Sequence, residues 1–116
     1  MEIKRNGPNG RRALSVAWGN TLYTSGITTT DLSGDITVQT QDVLDQLDDI
    51  LHRAGADRSG VLQATITLAD MADYGAFNAV WDQWVVDGFE PVRSVTEGRL
   101  AVPEYKVKIS LIAALK

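Results

Sequence analysis

The chain has 116 residues, a length that predicts one domain over residues 1–116. Its composition, 44% hydrophobic and 22% charged, is that of a soluble globular protein and not of a disordered segment. A net charge of −4 and a pI near 4.8 argue against non-specific nucleic-acid binding, and the absence of cysteine excludes disulfides, thiolate metal sites and a cysteine nucleophile.

The N-terminal segment predicts strands and turns. Its opening residues, MEIKRNGPNGRR, lack the apolar core of a signal peptide, and no apolar run approaches the roughly 20 residues of a membrane helix. We therefore expect a cytoplasmic protein. Glu2–Lys4 predicts a short strand, and Ala13–Trp18 with Thr21–Ser25 predicts a hairpin about a Gly19-Asn20 turn. One face of the first hairpin strand carries Leu14, Val16 and Trp18.

Two helices are predicted by apolar residues that recur at three- and four-residue spacing. The first spans Thr37–Ala54, and Gly55 follows as a terminating residue. The second spans about Tyr74–Val86. The apolar stripe of the first helix contains Val43, Leu44, Leu47, Ile50, Leu51 and Ala54, and the predicted buried stripe of the second contains Tyr74, Phe77, Trp81, Trp84 and Val85.

Three further strands complete the predicted fold. Val61–Leu68 alternates, and Val92–Ala101 and Tyr105–Ala114 close the chain. The order β-β-β-α-β-α-β-β predicts one α+β domain with two helices on one face of a mixed sheet. The first of these strands places Leu62, Ala64, Ile66 and Leu68 on a common face.

The second face of the predicted sheet is polar but mostly uncharged. Its candidate residues are Gln63, Thr65, Thr67, Ser110 and Ile112. A sheet face left to water usually carries more lysine and glutamate than this. We expect other subunits to cover it, although a solvated, threonine-rich sheet is the plainer alternative.

Arg93 is the candidate functional residue that the sequence itself offers. It follows Pro91 at the threshold of a strand, and its planar guanidinium suits a substrate carboxylate. An ion pair with Glu90 or Glu97 would also account for it, and residue patterns alone do not decide between the two. The only histidine, His52, lies within the first helix, where no spacing indicates a metal site.

Several segments together resemble one protein family. They are GNTLYTSGI, QTQDVLDQLDDILHRAGA, VLQATITLADMADYGAFNAVW, PVRS and KVKISLIAAL. In this order they resemble the RidA family, the YjgF-type enamine/imine deaminases, over nearly the whole chain. The resemblance implies a chorismate-mutase-like fold that forms a homotrimer around a central barrel, with active sites in the clefts between subunits.

The resemblance also implies a hydrolase that needs no cofactor. Water adds to the C=N carbon of a 2-imino acid such as 2-iminopropanoate or 2-iminobutanoate, or of its enamine tautomer, and ammonia and a 2-keto acid are released. By position in the family's pattern, Arg93 holds the substrate carboxylate and the backbone carbonyl of Val95 faces the substrate nitrogen. Ser25 and Gly26 match a pocket-lining SG pair, and Asn78 matches an asparagine that recurs in the second helix.

Three residues depart from the family's pattern. Lys108 stands where the deaminases carry a last-strand glutamate that is proposed to orient the attacking water. Arg12 occupies the position of a pocket tyrosine, and Ile27 that of a glutamine. If Arg12, Arg93 and Lys108 line one cleft, the cleft favours a more anionic ligand such as a dicarboxylate.

These departures leave an alternative function open. A non-catalytic member of the family would bind a small carboxylate and act as a sensor or accessory subunit, and Lys108 is the feature that separates this hypothesis from a deaminase. Endoribonuclease, a name also given to parts of this superfamily, is disfavoured by the acidic pI and the lone helical histidine.

Overall fold

The secondary structure follows the predicted order β-β-β-α-β-α-β-β. The computed structural model describes residues 1–116, and the loop 98–106 replaces parts of the two last predicted strands. Short 3₁₀ turns, Arg58–Gly60 and Met71–Asp73, precede the fourth strand and the second helix. The elements are β1 (Ile3–Asn6), β2 (Ser15–Trp18), β3 (Thr21–Thr24), α1 (Ile36–Ala54), β4 (Val61–Leu68), α2 (Tyr74–Trp84), β5 (Val92–Glu97) and β6 (Val107–Ala114).

The six strands form one mixed sheet in the order β1-β2-β3-β6-β4-β5. β4 and β5 are parallel, and every other neighbouring pair is antiparallel. Parallel neighbours need a crossover connection, which α2 supplies between β4 and β5. Because β5 is the last strand in this order, it lies at an edge of the sheet, where its outer backbone groups have no strand partner in this chain.

The ends of α1 are fixed by local hydrogen bonds. The Asp35 carboxylate accepts a bond from a backbone N–H of the first turn at 2.9 Å, and Gly55 ends the helix with a left-handed φ of 89°. Gln39, which is fully buried, joins α1 to the loop before β6. Its amide donates to the Glu104 carbonyl at 2.9 Å and its oxygen accepts from the Lys106 N–H at 2.9 Å.

Aromatic rings join α2 to the core. Trp81 lies between Phe77 and Trp84, with ring centroids 6.0 and 5.3 Å apart. The Trp84 indole donates to the Asp48 carboxylate of α1 at 3.0 Å, and Arg58 donates two hydrogen bonds of 2.9 and 2.8 Å to the same carboxylate. Asp48 therefore ties the end of α2 to α1 through one shared acceptor.

A β-bulge changes one predicted face of β4. The pairing with β6 shifts register between Val61 and Gln63, so two residues of β4 cover one step of its partner. Val61 is consequently buried, whereas Leu62 is 51% exposed. The prediction that Leu62 shares the face of Ala64 was therefore wrong, because strict alternation does not continue through the bulge.

The buried face of β2 carries its smaller residues. Val16 and Trp18 alternate onto one face, but Trp18 is 54% exposed because that face points away from the helices. Ser15 and Ala17 lie on the buried face instead. The Ser15 hydroxyl accepts a hydrogen bond from the Asn6 side chain at 3.1 Å, which satisfies this buried polar group.

Both helices pack on one face of the sheet, and the opposite face is largely uncharged. The register places on this open face all five residues that the sequence predicted there: Gln63, Thr65, Thr67, Ser110 and Ile112. Lys108, the partner of Thr67, lies on the same face and is charged. Trp18, Tyr23 and Val92 extend the same face and are 54%, 44% and 68% exposed. That other subunits cover this face stays a prediction.

Neither helix has the length and hydropathy of a membrane span.

Candidate functional site

The Arg93 side chain lies against two aromatic rings. Arg93 is the β5 partner of the buried Ala64, and laterally paired residues of neighbouring strands point to the same face, so its side chain is directed to the helix side of the sheet. Its Cζ atom is 5.9 Å from the centre of the Tyr74 ring and 5.7 Å from that of Trp81. Its Nη2 atom donates a hydrogen bond of 3.2 Å to the Tyr74 hydroxyl.

No carboxylate of the chain pairs with Arg93. The three ion pairs of the structure join other residues. Glu97 accepts a hydrogen bond from the Met71 backbone at 2.8 Å, and Glu90 accepts one from the Gly88 backbone at 3.3 Å. Both carboxylates proposed as structural partners are therefore bonded elsewhere, and the ion-pair explanation of Arg93 was wrong.

Two buried polar atoms beside the rings lack hydrogen-bond partners. They are Nη1 of Arg93 and Oδ1 of Asn78. Tyr74, Asn78 and Trp81 follow one another at positions i, i+4 and i+7 of α2, so Asn78 lies between the two rings that contact the guanidinium. Unpaired polar atoms are uncommon in protein interiors, and two of them in one region suggest that an external group completes this site.

Val95 belongs to the same region as Arg93. It lies two residues further along β5, on the same face, and packs against the core. We refer to Tyr74, Asn78, Trp81, Arg93 and Val95 as the Arg93 cluster.

A second group of predicted site residues lies around Lys108. Backbone hydrogen bonds of 2.8 and 3.1 Å between Ile27 and Ile109 hold the segment after β3 beside β6. The Lys108 stem consequently passes over Gly26, where a Cβ atom would come within 2.9 Å of the lysine Cδ. The Ser25 hydroxyl is buried and has no hydrogen-bond partner, and Lys108 forms no ion pair. We refer to Ser25, Gly26 and Lys108 as the Lys108 cluster.

The sheet separates the two clusters within one chain. Lys108 is paired with Thr67 on the open face, whereas Arg93 is paired with Ala64 on the helix face. Arg12 lies in the exposed loop before β2, where its backbone N–H donates to the Asn9 side chain at 2.9 Å and its carbonyl accepts from the Asn9 N–H at 3.0 Å, whereas its guanidinium forms no hydrogen bond. A single chain therefore does not form the expected cleft lined by all three cationic side chains.

The depression beside Arg93 has an acidic rim. It encloses about 420 Å³. Its lining residues are Trp81, Asp82, Val85, Asp87, Glu90, Pro91 and Arg93. Three carboxylates disfavour an anion that approaches Arg93 from this side. A larger cleft of about 590 Å³ lies along residues 97–105 and contains none of the predicted site residues.

Tyr74 was placed wrongly by the sequence. Apolar spacing assigned it to the buried stripe of the second helix, but it is 41% exposed and its hydroxyl contacts Arg93. The missed signal is the spacing of Tyr74, Asn78 and Trp81, which puts a polar residue between two aromatic residues on one helix face.

These features define a class of protein: a small α+β domain with two helices on a mixed sheet and an unpaired arginine held against aromatic rings. The sequence pattern of the family described as Endoribonuclease L-PSP matches residues 6–115. The RutC family protein YoaB of Escherichia coli K12 is 41% identical over 115 residues, which cover 99% of this chain and 100% of YoaB. The chain therefore belongs to the RidA/YjgF family, to which the RutC proteins also belong.

Known structures and relatives agree with this assignment. A YjgF family protein from Neisseria meningitidis superposes with a TM-score of 0.97 at 38% identity, covering 100% of this chain and 97% of its own. This similarity confirms the predicted RidA-like fold. Reactive Intermediate Deaminase A of Arabidopsis thaliana is 30% identical over 112 residues, which cover 91% of this chain and 59% of that protein.

Proposed function

We propose that the protein hydrolyses 2-imino acids to 2-keto acids and ammonia, with Arg93 holding the substrate carboxylate. The observation that carries this proposal is the guanidinium itself, which is held by Tyr74 and Trp81 but has no carboxylate partner. Arginine presents parallel donors that match a carboxylate. The name of the Arabidopsis relative supports the reaction class.

The proposed reaction requires little of the protein beyond positioning. Water adds to the C=N carbon, the resulting carbinolamine transfers a proton to its nitrogen, and ammonia leaves as the carbonyl forms. A fixed carboxylate aligns the imine carbon for attack. The Val95 carbonyl accepts a hydrogen bond from the substrate nitrogen, and Asn78 and the Ser25-Gly26 backbone line the pocket.

The proposed active site lies between subunits of a homotrimer whose sheets form a central barrel. The sheet keeps the Arg93 and Lys108 clusters apart in one chain, so a site that uses both requires a second chain. Each cluster contains at least one buried polar atom without a partner, and the open face is largely uncharged. Native mass spectrometry tests this assembly, and a stable monomer would contradict it.

Lys108 supports a second candidate function. Where the deaminases are expected to carry glutamate, this chain has an ammonium group that supplies donors only. A site with Arg93 and without the acidic residue would bind small carboxylates as a sensor or accessory subunit and would not turn them over.

The cationic residues also bear on which carboxylate is bound. Arg12 and Lys108 form no ion pair in the chain, so a cleft between subunits that gathers them with Arg93 would favour a dicarboxylate. Calorimetric titration with matched mono- and dicarboxylates measures this preference. Equal weak binding of both removes its support.

Turnover of an imine generated in place tests the proposed reaction. An amino-acid oxidase supplies 2-iminopropanoate from alanine, and keto-acid formation above the uncatalysed rate is measured for the wild type, Arg93→Ala and Lys108→Glu. We expect Arg93→Ala to lose the enhancement, while Arg99→Ala, which changes an exposed arginine of another cleft, retains it. An enhancement that survives in Arg93→Ala contradicts the proposal. If the wild type is inactive and Lys108→Glu is active, the wild-type protein binds carboxylates without turning them over.

A further inference from the structure

The Tyr74 hydroxyl has an unused proton beside the Arg93 guanidinium. A phenol can accept hydrogen bonds and can donate one. The Tyr74 oxygen accepts from Nη2 of Arg93 at 3.2 Å, and the hydroxyl donates no hydrogen bond within the chain. The side chain is 41% exposed, so the proton is available to a ligand.

Trp81 holds the guanidinium from the other side. It is 4% exposed and is fixed between Phe77 and Trp84, so its ring is a rigid support. Because the guanidinium lies close to both the Tyr74 and Trp81 rings, its position relative to the Tyr74 hydroxyl is set by the protein.

The charges around Arg93 disfavour a carboxylate on the Trp81 side. Asp82, Asp87 and Glu90 line the depression on the Trp81 side and repel an anion there. Tyr74 lies two helical turns before Trp81 and is not part of that acidic lining. A carboxylate bound next to Tyr74 would accept from the guanidinium with one oxygen and from the phenol with the other.

We infer that Tyr74 is a second substrate-binding residue, whose hydroxyl donates a hydrogen bond to the same carboxylate that Arg93 holds. This inference rests on the proposed function and extends it. Tyr74 supplies a neutral hydrogen-bond donor and Arg93 a charged one to the same carboxylate. The site therefore selects for a carboxylate over an uncharged amide of the same shape.

Calorimetric binding of pyruvate, the keto-acid product, tests the role of Tyr74. Tyr74→Phe keeps the ring against Arg93 and removes only the hydroxyl. We expect its affinity for pyruvate to fall about tenfold, the effect of one hydrogen bond to a charged group, while its weak binding of pyruvamide stays unchanged. With 2-iminopropanoate as substrate, KM should rise by a similar factor and kcat should change little, because the bond is present before and during the reaction. Tyr105→Phe, which removes a hydroxyl from a different cleft, is the matched control and should match the wild type.

The variants separate the failure of this inference from that of the proposed function. Pyruvate binding of wild-type strength in Tyr74→Phe, together with lost binding in Arg93→Ala, overturns the role of Tyr74 and leaves the proposed function standing. Pyruvate binding of wild-type strength in Arg93→Ala overturns both. An equal loss of pyruvate and pyruvamide in Tyr74→Phe overturns the inference, since it shows a structural role without recognition of the carboxylate.

Discussion

Arg58 and Arg93 are both held against aromatic rings, but only Arg58 has a carboxylate partner within the chain. Both guanidinium groups lie against tryptophan rings, at 5.5 Å from Trp84 and 5.7 Å from Trp81. The Arg58 donors are directed at Asp48, and this hydrogen-bonded carboxylate raises the pKa of the guanidinium despite the opposing effect of burial. Arg93 has the same aromatic support but no carboxylate, which is the arrangement expected of a residue that awaits an anionic ligand.

Replacing Arg93 by lysine tests whether geometry matters as well as charge. Lysine keeps a positive charge but lacks the planar fork, so it cannot bond to Tyr74 and to a carboxylate in the same arrangement. We expect Arg93→Lys to bind pyruvate about tenfold or more weakly than the wild type in a calorimetric titration. Arg99→Lys should have no effect. An affinity of wild-type strength in Arg93→Lys would show that charge alone is sufficient.

At the scale of elements, sequence periodicity predicted the regular helices and strands but not the β-bulge that interrupts one of them. The bounds of β4 and nearly all of α1 follow from alternation and from the apolar stripe. The bulge near Leu62 could not be predicted, because it arises from pairing with β6, which is distant in sequence. Arg93 was ambiguous because its choice of partner depends on where Glu90 and Glu97 find backbone donors, which only the folded chain fixes.

The contact between the two helices gives a prediction about stability. Asp48 accepts hydrogen bonds from both Trp84 and Arg58, so its removal leaves two partly buried donors without a partner. We expect Asp48→Ala to lower the free energy of unfolding in urea by about 2 kcal/mol. Asp45→Ala, an exposed carboxylate of the same helix, is the control and should change it by less than about 0.5 kcal/mol. Equal effects of the two substitutions would contradict a special role for Asp48.

The loop before α1 gives a prediction about pH. Burial would raise the pKa of Asp42, but hydrogen bonds from the Thr30 backbone and from the side chains of Thr29, Thr30 and Gln46 outweigh it and lower the pKa below 3.8. A carboxylate whose pKa is lowered by folding stabilises the protein above its unfolded value, and this contribution is lost as the pH falls through its folded value. Asp42→Asn should therefore be less stable than the wild type at neutral pH. In urea unfolding experiments this difference in stability should narrow as the pH falls below 3.8, the ordinary pKa of the carboxyl group. A difference in stability that stays constant with pH would show that the Asp42 carboxylate does not stabilise the fold in this way.

At the scale of the whole molecule, the separation of the two clusters is the main result. One chain carries the Arg93 cluster on the helix side of the sheet and the Lys108 cluster on its open face. Family membership predicted which residues belong to the site, but only strand register shows that they lie on opposite faces. The proposed trimer reconciles the two facts, because one chain's Arg93 cluster can then face a neighbour's Lys108 cluster.

Mixed assemblies of two variants, each expected to be inactive alone, test this claim most directly. Arg93→Ala removes the carboxylate-binding group of one cluster, and Gly26→Val fills the other, since its side chain would meet the Lys108 stem. After the two variants are unfolded together and refolded as a one-to-one mixture, a site shared between chains is intact when each chain supplies its unaltered cluster. At each site, each of the two contributing chains is the required variant in half of the cases. Random assembly therefore restores imine hydrolysis to about a quarter of the wild-type rate. No recovery in mixtures whose mixed composition is verified by native mass spectrometry would contradict the account, because it would show that a site does not combine the Arg93 cluster of one chain with the Lys108 cluster of another.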